Sequence, residues 1–271
     1  MLQSKPHYAL VTGGSRGIGK EVCRQLLQKG KPVLFTSTNE AAGARVAEEL
    51  SSISTAPVRC LLLEQGNPNS VQQLVQQVQQ QYNQQVDLLI NNAAIMIRQA
   101  WDAESYATTL AVNTAGPLTL TEALLPSLAA NSLVIMVTSG LAGLVCSTED
   151  YRQQVTSQQH WRSIAAALPA FNPDSPMASL KPEQPGALAP TYCVSKALMN
   201  RAVQLMAADE GLQARGVRVV AVTPGWCRTD LGTQAAERSA EEGATSVLHP
   251  YFHWQPSLHG TFTRDGTLLD W

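Results

Sequence analysis

Short apolar runs alternate with stretches of helical period along the first two-thirds of the chain. The run YALVT (8–12) ends in glycines and predicts a first strand. It is followed by IGKEVCRQLLQKG (18–30), where Ile18, Val22 and Leu26 share one helical face and Gly30 supplies a C-terminal stop. The same reasoning predicts strands at 32–36, 58–64, 86–90, 132–139 and 216–224. Helices are predicted at 40–50, 70–85, 103–113, 117–130 and about 191–214. The glutamine-rich stretch 70–85 is not low complexity in this sense: Val71, Leu74, Val75, Val78 and Tyr82 recur at helical spacing beneath a polar face. The strands are continuous apolar runs, as parallel strands covered on both faces require. Alternation of β and α elements then implies an α/β fold, a Rossmann-type doubly wound parallel sheet. Between about 141 and 190 the rhythm breaks, with prolines at 169, 173, 176, 182, 185 and 190. Part of that region (148–168) has helical character. It reads as an insertion before the helix at 191 within a single domain spanning 1–271, and no internal repeat is evident.

Bulk properties narrow the classes of function. A chain of 271 residues with 44% hydrophobic content has ample material for a core. A formal charge of −2 provides no basic field for nucleic acid or anionic lipid. The start, MLQSKPHYALVTGG, lacks a signal-peptide apolar region, and the apolar stretch 133–146 is interrupted and too short to span a bilayer. A cytoplasmic protein with no membrane partner is expected. Cys23, Cys60, Cys146, Cys193 and Cys227 are odd in number and without CxxC spacing, which suits a reducing compartment. His249, His253 and His259 lack a metal-ligand spacing, so no metal is expected.

Candidate chemistry gathers where predicted strands end. TGGSRGIG (12–19) joins the first strand to the first helix, with glycines that permit close approach of backbone to a pyrophosphate at a helix N-terminus. Arg16 inside it offers a guanidinium for an additional phosphate. The loop after the second strand, FTSTNEAAG (35–43), places no acid until Glu40, where an acid would grip a ribose diol and repel a 2′-phosphate. It offers Ser37, Thr38 and Asn39 as neutral donors instead. TYCVSKA (191–197) sets Tyr192 and Lys196 four apart, on one helical face. An adjacent ammonium lowers a phenol's pKa and makes it a usable acid–base group. Ser139 ends the fifth strand, Asn91 and Asn92 the fourth, and TPGWCRTD (223–230) follows the sixth, all on the edge where open α/β sheets bind ligands.

With these motifs the chain resembles the short-chain dehydrogenase/reductase family over nearly its whole length, and within it the carbonyl reductase branch. The long insertion between Ser139 and Tyr192, RSAEEGATSVL (238–248) and the tail HGTFTRDGTLLDW (259–271) resemble that branch in particular. The resemblance implies NADPH-dependent reduction of ketones, aldehydes or quinones. Tyr192 is then the general acid, Lys196 its modulator and a ribose ligand, Ser139 the carbonyl-orienting hydroxyl, and Asn113 the support of a water relay towards Lys196. Cofactor contacts are implied for Gly13, Ser15, Arg16, Gly17, Ile18 and Gly19. Others fall on Thr38, Glu64 and Gln65, on Asn91 and Asn92 along the adenosine side, and on Thr229 at the carboxamide. Ser139, Leu141, Trp226 and Leu231 are the substrate-side candidates, and the insertion implies a monomer. Two departures stand out: Ala94 replaces the usual glycine of N-N-A-G, and Thr38 stands where carbonyl reductases often carry arginine. Two other readings share the motifs: an NAD(P)⁺-dependent alcohol or hydroxysteroid dehydrogenase, and a non-catalytic nucleotide sensor. The full set Asn113, Ser139, Tyr192 and Lys196 argues against the sensor.

Overall fold

The apolar runs form the strands of one eight-stranded sheet in the computed structural model, which describes residues 6–98, 101–143, 148–166, 168, 170–181 and 187–271. The strands are β1 (Tyr8–Val11), β2 (Val33–Ser37), β3 (Val58–Leu62), β4 (Val86–Asn91), β5 (Leu128–Val137), β6 (Arg218–Val222), β7 (Phe262–Arg264) and β8 (Thr267–Leu269). Their spatial order is β3-β2-β1-β4-β5-β6-β7-β8, parallel except for the final antiparallel pair. The chain winds outward from β1 to β3, then returns to place β4 on the other side of β1. That reversal opens a crevice at the carboxyl ends of β1 and β4.

The period of two along each strand divides its side chains between two cores. Tyr8 and Leu10 of β1, with Val134 and Met136 of β5, face α3 (Pro68–Tyr82), α4 (Ala103–Leu110), α5 (Gly116–Leu124) and α8 (Pro190–Ala207). Ala9 and Val11, with Leu133, Ile135 and Val137, face α1 (Gly17–Gln28), α2 (Glu40–Ser51) and α10 (Ala240–Phe252). On this second face α1 packs against α10: Val22, Leu26, Val247 and Leu248 share one core. At its edge Arg24 pairs with Glu241 at 2.9 Å, and Gln25 Nε2 donates to the Glu241 carbonyl at 3.0 Å.

Several boundaries differ from the sequence expectation. The helix predicted to 130 stops at Leu124, and a 3₁₀ turn containing Pro126 leads into β5 at Leu128. Within β5 the register against β4 shifts, with Asn131 at φ 59°, so two apolar segments that look separate form one strand. The helix predicted over 191–214 breaks at Ala208, and Asp209 caps a separate α9 (Glu210–Ala214) through its side chain. Residues 111–115 form a π-helical turn between α4 and α5. The sequence reading assigned no elements to α10, β7 or β8. The Ser239–Glu242 capping box announces α10. Asp265-Gly266, with φ of 52° and 81°, turns the final hairpin. No helix among the described residues is long and apolar enough to cross a membrane.

The insertion folds back onto the helices of the first face. Its helical part is two helices, α6 (Glu149–Thr156) and α7 (Trp161–Ala166), not one. Tyr151, Val155, Trp161, Ile164 and Met177 are buried in the same core as α4, α5 and α8. Trp101, Tyr106, Tyr151 and Phe171 form an aromatic cluster with ring centroids 5.5 to 6.2 Å apart. Trp161 Nε1 donates to Asp209 at 3.0 Å. Trp161→Ala is therefore expected to cost about 3–5 kcal/mol in urea unfolding. A loss no larger than that of an exposed change such as Gln159→Ala would show that the insertion is not part of the cooperative core.

Candidate active site

The glycine loop is held open by hydrogen bonds that leave its own N-terminal helix amides free. Gly13 and Gly17 have φ of 66° and 53°, conformations that favour glycine. Gly13 N donates to Thr36 Oγ1 and Gly14 N to the Thr36 carbonyl, each at 3.0 Å, which ties the loop to the end of β2. Thr12 Oγ1 accepts from the backbone N–H groups of Asn92 and Ala93, both at 3.0 Å. Asn92 Nδ2 donates to the Thr12 and Gly13 carbonyls at 2.9 and 3.3 Å. A Cβ on Gly19 would lie 2.3 Å from the Gly13 carbonyl oxygen and 2.5 Å from Asn92 Nδ2. No side chain caps α1, whose N-cap is Arg16. Such an arrangement can cradle a phosphate group at a helix N-terminus.

The cradle lines one wall of a cavity of about 1010 Å³ that spans the crevice between β1 and β4 and extends over β5 and β6. Gly13, Ser15, Arg16, Gly17, Ile18, Gly19, Thr38, Glu64, Gln65 and Asn92 all line it, as do Ser139, Leu141, Tyr192, Lys196, Trp226, Thr229 and Leu231. Gln65 donates its Nε2 to the Ala93 and Val112 carbonyls at 3.0 and 2.8 Å, while its buried Oε1 has no partner. That orphan acceptor, the cradle and the length of the cavity fit a pyrophosphate-bearing dinucleotide together with a small substrate.

Two sequence expectations need correction here. Asn91 does not line the cavity: its buried side chain donates to Thr121 Oγ1 of α5 at 3.0 Å, because the strand's alternation turns it into the helical layer. Of the three neutral donors after β2, two are engaged locally. Asn39 caps α2 by accepting from Ala42 N, and Ser37 Oγ donates to the Asn39 carbonyl. Thr38 remains, exposed on the cavity wall. Thr229 also has a local role, accepting from Gly232 N at 3.1 Å.

The candidate acid–base groups meet at the floor of the same cavity. Tyr192 and Lys196 are buried on α8, and Ser139 follows β5 and accepts from Leu141 N at 3.2 Å. Burial pushes the Tyr192 phenol up, and its hydrogen bond with the Ser139 hydroxyl partly offsets this. Lys196 Nζ lies 5.5 Å from the Tyr192 ring centroid and donates to the Val137 carbonyl at 2.8 Å. Burial pushes its ammonium down to about 8. Burial, rather than the ammonium, thus governs the phenol. Asn113 sits in the π-helical turn and is buried. Its Oδ1 accepts from Ile95 N at 2.9 Å, and its Nδ2 donates to the Ile95 carbonyl at 2.8 Å and to Ser195 Oγ at 3.1 Å. It braces the residue before Lys196 rather than touching the cavity.

On the far side, Leu141, Leu188, Trp226, Leu231 and Leu269 make an apolar wall. Trp226 is 53% exposed and anchored through Nε1 to the Gly232 carbonyl, so it is a wall residue and not core. Arg98, Leu188, Arg264 and Leu269 went unnoticed in the sequence. The Asp265-Gly266 turn was the available signal for the last two; Leu188, in the proline-rich insertion, had none. Arg98 bridges the cavity mouth, donating to the Leu231 carbonyl at 2.7 Å. Cys227 borders the cavity but is buried, with its Sγ 3.3 Å from the Pro224 carbonyl, and burial pushes its thiol up, away from the reactive thiolate. Cys146 lies outside the described residues.

A model of the short chain dehydrogenase family matches residues 7–149. The chain is 29% identical to (+)-neomenthol dehydrogenase of Arabidopsis thaliana over 277 residues, covering 92% of each chain. It is 27% identical to carbonyl reductase (NADPH) 3 of Rattus norvegicus over 284 residues, covering 100% of both. The solved structure of carbonyl reductase Sniffer of D. melanogaster superposes with a TM-score of 0.75 at 21% identity, over 98% of this chain and 100% of that one. This last likeness is one of fold.

The packing around Gly19 gives a direct test of the cradle. Gly19→Ala forces the Gly13 carbonyl or Asn92 to move, a strain of about 1–3 kcal/mol. Titration of nicotinamide fluorescence should show dinucleotide affinity reduced. Unchanged affinity would mean that the loop does not hold the pyrophosphate.

Proposed function

This chain belongs to the short-chain dehydrogenase family, and from that membership we propose that it is an NADPH-dependent carbonyl reductase. The observation that carries the proposal is the meeting of half-buried Ser139 with buried Tyr192 and Lys196 on the floor of the cavity that the glycine cradle also lines. When bound, NADPH supplies the hydride. Its pyrophosphate would lie at Gly13–Gly19, its adenosine beside Thr38, Glu64 and Gln65, and its carboxamide near Thr229.

The chain's own groups do the rest. Ser139 and Tyr192, already hydrogen-bonded to each other, both present hydroxyls to a carbonyl oxygen. Tyr192 donates its proton to that oxygen as negative charge develops there. Its raised pKa keeps the phenol protonated through neutral pH, the state that reduction requires. Lys196 places positive charge beneath the ring and stabilises the phenolate left behind. Asn113 acts as a positioning residue through Ile95 and Ser195. Arg16 gives a cationic partner for a 2′-phosphate, and no acid at the end of β2 opposes it.

The apolar wall of Leu141, Leu188, Trp226, Leu231 and Leu269 suits compact ketones, aldehydes or quinones with few polar groups. The reverse direction, oxidation of an alcohol, is the second reading, supported by the similarity to a neomenthol dehydrogenase. The neutral phenol weighs towards reduction. We read the chain as a cytosolic monomer, on its odd number of cysteines without CxxC spacing and on an insertion that covers helices α4, α5 and α8.

Two measurements test this. Against a carbonyl panel run with NADPH and NADH in parallel, Tyr192→Phe should lower kcat by about 10²–10⁴-fold while NADPH affinity is kept. Full turnover in that variant removes the mechanism, and a wild type that binds NADPH without turnover favours the sensor reading. The second is the pH profile of kcat/KM for reduction, which reports the free enzyme. Lys196 is charged below about 8 and neutral above, so the rate should hold through neutral pH and fall as pH passes that value. A profile level well beyond it would separate catalysis from the Lys196 charge.

A further inference from the structure

Arg16 is already partnered within the protein. Its Nη1 lies 3.3 Å from Oδ2 of Asp230, and the two side chains are 79% and 80% exposed. Asp230 follows Thr229 in the turn after β6, and the two loops touch at that point: a Cβ on Gly17 would lie 3.3 Å from Thr229 Cγ2. Both Arg16 and Asp230 line the same cavity. The other acid on its wall, Glu64, is engaged with Asn67 at 3.2 Å and stands after β3. Among the described residues Arg16 has no second ion-pair partner.

We propose that Asp230 is a cofactor-specificity residue, which competes with a 2′-phosphate for the Arg16 guanidinium and so holds down the preference for NADPH over NADH. This rests on the reading of Arg16 as the 2′-phosphate ligand. A phosphate monoester carries about −1.5 to −2 charges at neutral pH. As Arg16 turns to bind it, the contact of Nη1 with Asp230 is weakened or lost, and that carboxylate is left with less of its cation. NADH has no group that makes this demand. The position that could supply a second cation holds Thr38, whose hydroxyl adds no charge, so the competition falls on a single guanidinium. Because both partners are exposed, the effect is modest and weakened by salt.

The test is a set of dissociation constants for NADPH and NADH, read by nicotinamide fluorescence at low ionic strength. It uses the wild type, Asp230→Asn, Arg16→Ala and the double variant. Asp230→Asn is expected to tighten NADPH by roughly two- to five-fold, to leave NADH unchanged, and to lose its advantage as salt is added. In the Arg16→Ala background the same change should have no effect on NADPH. An Asp230→Asn variant with unaltered NADPH affinity, beside an Arg16→Ala variant that loses NADPH selectively, overturns the proposal and leaves the NADPH reading standing. A gain equal in both backgrounds also overturns it, since direct repulsion rather than competition would then be at work. Equal loss of both cofactors in Arg16→Ala removes the reading of Arg16 and this proposal with it.

Discussion

The hydroxyl of Thr12 closes the fork of the sheet. Where β1 and β4 diverge, two backbone N–H groups of Asn92 and Ala93 have no strand to pair with, and Thr12 Oγ1 accepts both. The Asn92 side chain returns the favour to the Thr12 and Gly13 carbonyls. With those groups satisfied, the glycine loop can turn away and leave the first amides of α1 directed at a ligand rather than at the protein. A buried fork without that hydroxyl would carry unpaired backbone, which is costly. The entry to the cradle and the start of the 93–96 segment are both anchored on this one threonine.

A second constraint acts at the other end of the cavity. Tyr192 and Lys196 are buried in a helix packed on the sheet, and burial moves each towards its neutral form. For the phenol, that secures a proton at neutral pH. For the lysine, it brings the ammonium close to its threshold, where small changes in surroundings alter its charge. The π-helical turn at 111–115 supports this arrangement from behind, since Asn113 reaches both Ile95 and Ser195 from it.

Most of this was legible in the sequence, because parallel strands leave strong signals. TGGSRGIG, Ser139 and Tyr192-x-x-x-Lys196 each stand immediately after a strand or at the head of a helix, so their shared edge could be inferred from β–α order alone. What escaped notice depended on distant contacts. Asn91 and Asn92 are adjacent and chemically identical, and only the pleat at the end of β4 sends one to the helices and the other to the glycine loop. The ammonium's influence on Tyr192 was deduced from spacing, whereas the structure sets it against burial, which spacing does not reveal. Leu269 belongs to a three-residue strand, too short for any period to declare itself, and the partnership of Arg16 with Asp230 joins residues 214 positions apart.

The packing of α1 against α10 bears on how the protein is made. The helix that presents the phosphate cradle leaves the ribosome well before α10, and its apolar stripe of Val22 and Leu26 is covered in part by Val247 and Leu248. Until those residues are synthesised the stripe stays partly bare, and β1 in turn waits for β4 to arrive from beyond residue 85. Such long-range pairings make for slow folding and a prolonged nascent state with exposed apolar surface. The nucleotide site therefore cannot mature before α10 is made: its glycine-loop segment depends on a partner translated later. A molecule that binds the cradle would stabilise the finished chain and offer little to the growing one.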